Sequence, residues 1–139
     1  MEDDNEYGAV YQLTVKGTGF SNSDGSSRAD LIRRFVRDGM DVVLVPEPHN
    51  PHDPNAIAVY VEVKRWFFFG PYRYQIGYIS ERWAKSFTAR FASGGRIIEA
   101  YVRSHFSPDE KTFPRVSIEA VASWPPRPEK TPRAAKQSR

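Results

Sequence analysis

A stiff polar loop between two apolar runs, at residues 44–59, constrains this chain more than any other stretch. The loop contains Pro46, Pro48, Pro51 and Pro54. Each proline fixes its own φ at about −65° and pushes the preceding residue towards extended backbone, so little conformational freedom is left to lose on folding. The polar side chains between the prolines are therefore expected to occupy fixed positions between two strands.

Two interpretations of this loop are open. Asn50, Asp53 and Asn55 can accept hydrogen bonds from nearby backbone N–H groups, as expected in a well-built connector between strands. The same side chains could instead bind a ligand, because loops on rigid scaffolds often carry binding groups. Asp53 fits both interpretations, either as a turn-capping carboxylate or as a ligand-binding acceptor.

Alternation and capping signals predict a mainly β fold, a small OB-like β-barrel of about six strands with two short α-helices. Strand patterns lie at 11–15, 41–45, 56–63, 75–79, 97–102 and 116–122. One helix is predicted after the N-cap Ser27 and the other after Ser80. In the second helix Trp83, Phe87 and Phe91 have the spacing of one core-facing stripe.

Length and charge indicate one domain with two polar ends. The chain has 139 residues and 40% hydrophobic content, which is enough for a single core. We expect an acidic flexible segment at 1–9, the folded domain at 10–123, and a basic, proline-rich disordered tail at 124–139. Residues 7–123 carry 15 basic and 12 acidic side chains, so nucleic-acid binding would have to depend on locally placed Arg and Lys.

Composition also excludes several classes of site. The chain has no cysteine and therefore no disulfide, thiolate nucleophile or zinc finger. No apolar run approaches about 18 residues, and the acidic start is unlike a signal peptide, so we expect a cytoplasmic protein with no membrane partner. No glycine-rich phosphate loop with its Lys-Ser/Thr is present, and we expect no cofactor or metal.

An aromatic segment at 66–74 is richer in rings than one strand face can bury. Its aromatic residues are Trp66, Phe67, Phe68, Phe69, Tyr72 and Tyr74. Gly70-Pro71 predicts a hairpin turn there. Two interpretations are open: a long hairpin folded back on the barrel, or an exposed surface for a protein partner or for self-association.

Four motifs in the chain resemble the HIRAN domain family, over about residues 10–121. They are the segment from Gly17 to Phe20, the run 47–59, the sequence Ile-Gly-Tyr-Ile at 76–79, and the glycine pair at 94–95. The family occurs fused to DNA-translocating ATPases that act at stalled replication forks, and also as a stand-alone bacterial protein, the form this chain resembles. The resemblance implies an OB-like barrel with two helices.

The resemblance also implies a non-enzymatic module that binds single-stranded DNA, in some members at a free 3′ end, in DNA repair or replication-fork processing. By this resemblance Phe20 and His52 would stack on bases, and Asp53 would accept a hydrogen bond from the terminal hydroxyl. Tyr78 would contact a phosphate. The implied DNA-binding set is Phe20, Asn50, His52, Asp53, Tyr78 and Arg82.

Two positions depart from the family pattern. Where the family has a basic residue before the first aromatic residue, this chain has Gly19. Where the family has a lysine at the start of the second helix, this chain has Glu81, followed by Arg82. The loss of a phosphate-binding cation lowers the affinity for DNA and makes that affinity depend less on salt concentration. The candidate compensating cations are Arg28, Arg73 and Lys85.

Two other functional classes compete with DNA binding. His49, His52 and Asp53 crowd one loop, and histidine with carboxylate can hold a divalent metal for phosphodiester hydrolysis. Their spacing matches no ligand motif, so we expect no catalysis. The other class is a protein-interaction module that uses the aromatic segment at 66–74, and the departures at Gly19 and Glu81 favour it.

Overall fold

The computed structural model describes residues 6–64 and 70–126. They form six strands and two helices, which confirms the predicted mainly β fold class. In chain order these are β1 (Tyr7–Thr14), α1 (Arg28–Phe35), β2 (Val42–Pro46), β3 (Ile57–Val63), β4 (Tyr72–Tyr78), α2 (Glu81–Ala92), β5 (Arg96–Phe106) and β6 (Arg115–Trp124).

The strands form two antiparallel three-stranded sheets around one core. Their strand orders are β1-β6-β5 and β2-β3-β4. Isolated bridges link the sheets at two places, Lys16 with Tyr78 and Asp41 with Tyr101. Because the ladder is interrupted at both places, the OB-like barrel is not closed. The largest fully buried side chains include Ile32, Val59, Phe87 and Ile118, contributed by both helices and both sheets.

The bridge between Lys16 and Tyr78, called here the seam, depends on a glycine. The Lys16 N–H donates to the Tyr78 carbonyl at 2.7 Å, and the Tyr78 N–H donates to the Lys16 carbonyl at 3.0 Å. Gly77 has φ +156°, and a Cβ atom there would lie 2.3 Å from the Lys16 carbonyl oxygen and 2.6 Å from a Val15 methyl carbon. Any larger residue would therefore push the two sheets apart at the seam.

Both helices begin where their N-cap residues predict. The Ser27 hydroxyl accepts from the Asp30 N–H at 3.1 Å, and the Ser80 hydroxyl accepts from the Trp83 N–H at 3.4 Å. Phe87 is fully buried, as its place in the aromatic stripe predicts. Trp83 instead lies at the rim of the core, partly exposed, with its ring 5.1 Å from the ring of Tyr11.

Both predicted domain boundaries differ from the observed strand ends. Tyr7, Gly8 and Ala9 pair with β6, so part of the segment we expected to be flexible is strand. Their side chains gave no strand signal because only Ala9 packs against the core, and backbone pairing with β6 holds Tyr7 and Gly8 in the strand. Trp124, which we placed in the tail because prolines follow it, ends β6 and is only 1% exposed. Its indole N–H donates to the Tyr11 hydroxyl at 2.7 Å.

Part of the aromatic segment lies outside the described residues, including Trp66, Phe67, Phe68 and Phe69. The same holds for residues 1–5 and for the predicted tail from 127 onwards. Val63 pairs with Tyr72, as the predicted hairpin requires, and the Tyr72 ring lies 4.9 Å from that of Tyr74. The partner surface stays a prediction. Within the described residues, neither helix is long and apolar enough to cross a membrane.

Replacing Gly77 by alanine should destabilise the fold by about 1–3 kcal/mol, because the added methyl group overlaps the Lys16 carbonyl. Gly70→Ala is the matched control, since a Cβ atom at Gly70 meets no atom of the described residues within 4 Å. Urea unfolding followed by circular dichroism measures both variants. Equal stability of the two would contradict the role assigned to the seam.

Candidate nucleic-acid interface

An open groove of about 860 Å³ lies beside the seam, where the proline loop meets the end of β4 and the start of α2. Its lining residues are Lys16, Gly17, Phe20, Ser21, Arg28, Asn50, His52, Asp53, Ala56, Tyr78, Ile79, Ser80 and Glu81. The fold thus brings together five predicted site residues from three separate parts of the chain. These are Phe20, Asn50, His52, Asp53 and Tyr78.

Phe20 presents an exposed ring on a fixed backbone. Its side chain is 70% exposed. Its N–H donates to the Gly17 carbonyl at 3.1 Å, and its carbonyl accepts from the Arg28 N–H at 3.2 Å. Because the backbone is held on both sides, the ring face can receive another planar group with little loss of entropy.

Arg28 supports the wall of the groove from within. Its side chain is buried, its Nε–H donates to Asn22 Oδ1 at 2.7 Å, and its Nη1 donates to the Gly17 carbonyl at 3.0 Å. The guanidinium carbon lies 5.3 Å from the centre of the Tyr78 ring. Arg28 therefore lends positive charge to the groove, while its Nε and Nη1 donors hold the loop that carries Phe20.

Asn50 organises the proline loop. Its Oδ1 accepts from the backbone N–H groups of His52 at 2.8 Å and Asp53 at 3.1 Å, and its Nδ2 donates to Glu47 Oε1 at 2.9 Å. Both ends of the amide are thus used within the loop. The predicted turn bonds are confirmed for the side chains of Asn50 and Asp53 but not for that of Asn55, and Asn50 positions its neighbours.

Asp53 combines the two roles that the sequence left open. Its Oδ1 accepts from the Asn55 N–H at 2.9 Å, which is the turn-capping role. Its Oδ2 has no hydrogen-bond partner among the described residues, and the side chain lines the groove. One carboxylate oxygen is therefore available to accept a hydrogen bond from a ligand.

Tyr78 is tied to the proline loop through Glu47. Its hydroxyl donates to Glu47 Oε1 at 2.9 Å, the same oxygen that accepts from Asn50. Since this donor is already used, Tyr78 offers a ligand its ring and the lone pairs of its oxygen. The neighbouring Tyr60 hydroxyl has a raised pKa, first because of burial and then because of the negative charge of Glu47.

The predicted cations are distributed unevenly around the groove. Arg28 lines it, whereas Arg73, Arg82 and Lys85 are not among its lining residues. Arg73 pairs through Nε with Glu62 Oε2 at 2.9 Å. The charged lining residues are Lys16, Arg28, Asp53 and Glu81, so positive and negative charges balance.

Two residues at this site were not predicted from the sequence. Lys16 directly follows the strand pattern at 11–15, and no local signal indicated its pairing with Tyr78 across the seam. Phe113 is 67% exposed, and its ring carbons lie 2.8 Å from where a Cβ atom of Gly19 would be. The signal for Phe113 was a lone aromatic residue in a polar turn before Pro114.

The loop that carries Phe113 is fixed against the rest of the site. The Thr18 hydroxyl donates to the Pro114 carbonyl at 2.8 Å, and Arg33 Nη2 donates to the Glu110 and Thr112 carbonyls, each at 3.3 Å. Asp109 accepts from two backbone N–H groups of its own loop, and these bonds lower the pKa of its carboxyl. Phe113 is therefore a second fixed and exposed ring, beside the position of Gly19.

The described residues contain no group of three or more His, Cys, Asp or Glu side chains that could hold a metal. His49 and His52 are both exposed on the proline loop.

Two solved structures share this fold. The crystal structure of the HIRAN domain of human HLTF matches with a TM-score of 0.55 and 16% identity, over 88% of this chain and 82% of that one. A protein from Lactobacillus plantarum matches with a TM-score of 0.55 and 18% identity, over 86% of this chain and 98% of that one. No curated protein matches.

The family comparison agrees with the motifs in the sequence. The HIRAN domain model matches residues 10–121, which is most of the chain and includes all the residues that line the groove. The family is known as a nucleic-acid-binding module. This chain belongs to the HIRAN domain family.

Proposed function

We propose that this protein binds single-stranded DNA without catalysing a reaction on it, and that a free 3′ end lies in the groove. The observation that carries the proposal is that Phe20, His52, Asp53 and Tyr78 line one open groove. Membership of a nucleic-acid-binding family supports the same class of ligand.

Stacking supplies most of the affinity in this proposal. Each base that stacks on an aromatic side chain contributes about 1–3 kcal/mol to the binding free energy, whichever of the four bases it is. Phe20 and His52 offer two such surfaces in the groove, and the exposed ring of Phe113 lies close by. The balanced charge of the lining residues favours stacking over phosphate contacts, so binding should depend weakly on salt.

Asp53 supplies the preference for a free hydroxyl end. Its Oδ2 can accept a hydrogen bond from a terminal hydroxyl, whereas a terminal phosphate would meet the negative charges of Asp53 and Glu81. A duplex end offers no unstacked bases for Phe20. The proposed ligand is thus an unpaired terminus, such as those produced in DNA repair or replication-fork processing.

Replacing Phe20 by alanine should weaken binding to single-stranded DNA by about 1–3 kcal/mol, because one stacking surface is lost. Stability should change little, since the ring is 70% exposed. Phe106→Ala is the matched control, because Phe106 is 61% exposed and is not a groove-lining residue. Fluorescence anisotropy gives the affinities and thermal unfolding gives the stabilities.

Two outcomes of that comparison would contradict the proposal. If Phe20→Ala unfolds the protein, the ring belongs to the core. If Phe106→Ala weakens binding as much as Phe20→Ala does, the affinity does not come from the groove.

Three labelled oligonucleotides test end recognition: a single strand with a 3′-hydroxyl, the same strand with a 3′-phosphate, and a duplex. We expect the tightest binding to the first. Asp53→Asn should reduce the discrimination between hydroxyl and phosphate ends, because it removes the negative charge. Equal binding of all three by the wild-type protein would indicate non-specific electrostatic attraction and would contradict the proposal. Cleavage of the labelled strand after addition of Mg²⁺ or Mn²⁺ would contradict its non-enzymatic part.

A further inference from the structure

A second, smaller cleft of about 210 Å³ lies along β4. Its lining residues are Asn22, Ser23, Asp24, Ser26, Leu31, Tyr60, Tyr72, Arg73, Tyr74 and Gln75. The loop that brings Phe20 and Ser21 to the groove continues into the wall of this cleft. Asn22 Nδ2 donates to the Gln75 carbonyl at 3.0 Å, which closes the loop onto β4. The groove and the cleft are therefore neighbours on the two sides of one loop.

The spacing of the two sites suits one continuous strand of DNA. Tyr78 lines the groove and Tyr74 lines the cleft, four residues apart along β4, or about 13 Å at the rise of a β-strand. OB folds bind about 4–16 nucleotides of single strand. A terminus seated on Phe20 and His52 accounts for only the first few of these, so the preceding nucleotides need a path over the surface.

The cleft offers hydrogen-bond donors that the fold does not use. Arg73 donates through Nε to Glu62, and its two Nη groups have no partner among the described residues. The Tyr60 hydroxyl also has no hydrogen-bond partner in the described part of the chain. A tyrosine hydroxyl carries its proton at neutral pH and can donate it to a hydrogen bond, and burial raises the pKa of Tyr60 further.

We propose that this cleft is a second nucleotide subsite for the strand whose 3′ end occupies the groove. Arg73 binds a backbone phosphate there, and the Tyr60 hydroxyl donates a hydrogen bond to the adjoining sugar or base. The Asp24 carboxylate lines the same cleft and disfavours a second phosphate, but it can accept from the exocyclic amine of a base. This inference rests on the proposed function of the groove.

A 3′-hydroxyl dithymidylate and an oligothymidylate of about eight nucleotides test the inference. A dinucleotide covers only Phe20 and His52, and its single phosphate lies too near the 3′ end to reach a cleft about 13 Å away, whereas the longer strand can reach it. Arg73→Gln should weaken binding of the longer strand about 3- to 10-fold and leave the shorter one unchanged. For the longer strand, the negative slope of the log binding constant against the log salt concentration should become shallower by about 0.7 in Arg73→Gln. This is the value for one phosphate contact with single-stranded DNA. Tyr60→Phe, which removes only the hydroxyl group, should also weaken binding of the longer strand and leave binding of the shorter strand unchanged.

Glu62→Gln is the matched control, because it breaks the ion pair and keeps Arg73. It should leave binding of the longer strand unchanged or strengthen it. If Glu62→Gln weakens binding as Arg73→Gln does, the ion pair and not the phosphate contact is responsible, and the inference is overturned.

The two lengths separate this inference from the proposed function. If Arg73→Gln leaves binding of the longer strand unchanged while Phe20→Ala weakens binding of both strands, the proposed function of the groove is supported and the inference about the cleft is overturned. Equal weakening of both lengths by Arg73→Gln also overturns the inference, because the short strand does not reach the cleft. If neither length binds the wild-type protein, the proposed function fails as well.

Discussion

Two backbone hydrogen bonds between Lys16 and Tyr78 hold the candidate site together. They join the end of the β1 segment to the end of β4, where the two sheets would otherwise be separate. The approach is close enough that Gly77 has no room for a side chain. The seam thus places the loop of Phe20 beside the end of β4, and Glu47 then holds the proline loop against Tyr78. The seam therefore works together with the Asn22–Gln75 hydrogen bond to keep the Phe20 loop beside β4.

In the proposed function, the groove binds its ligand by stacking more than by charge attraction. Where the family pattern has a cation, Gly19 lies under the exposed ring of Phe113, and Glu81 lines the groove at the start of α2. Arg28 is committed to Asn22 and to the Gly17 carbonyl. Affinity would then come from flat faces, and specificity from a carboxylate that accepts a hydroxyl proton and repels a phosphate.

Local signals in the sequence were sufficient for the fold class, whereas the candidate residues of the groove came mainly from the resemblance to the HIRAN family. Alternation predicted the strands, the serine caps predicted both helix starts, and the proline loop has the turn bonds its residues favour. Long-range pairing was not predictable from the residues. The seam gives Lys16 a place in the groove, and Thr18 bonding to Pro114 fixes the loop of Phe113. Neither contact leaves a local pattern, so both residues were missed.

The most direct test of the account is an NMR titration of the ¹⁵N-labelled protein with a single-stranded 3′-hydroxyl oligonucleotide. The account predicts that the first and largest amide shifts fall at 16–21, at Arg28, at 50–56 and at 78–81, the parts of the chain that line the groove. Shifts confined to the basic segment 127–139 or to the β1-β6-β5 sheet would contradict it.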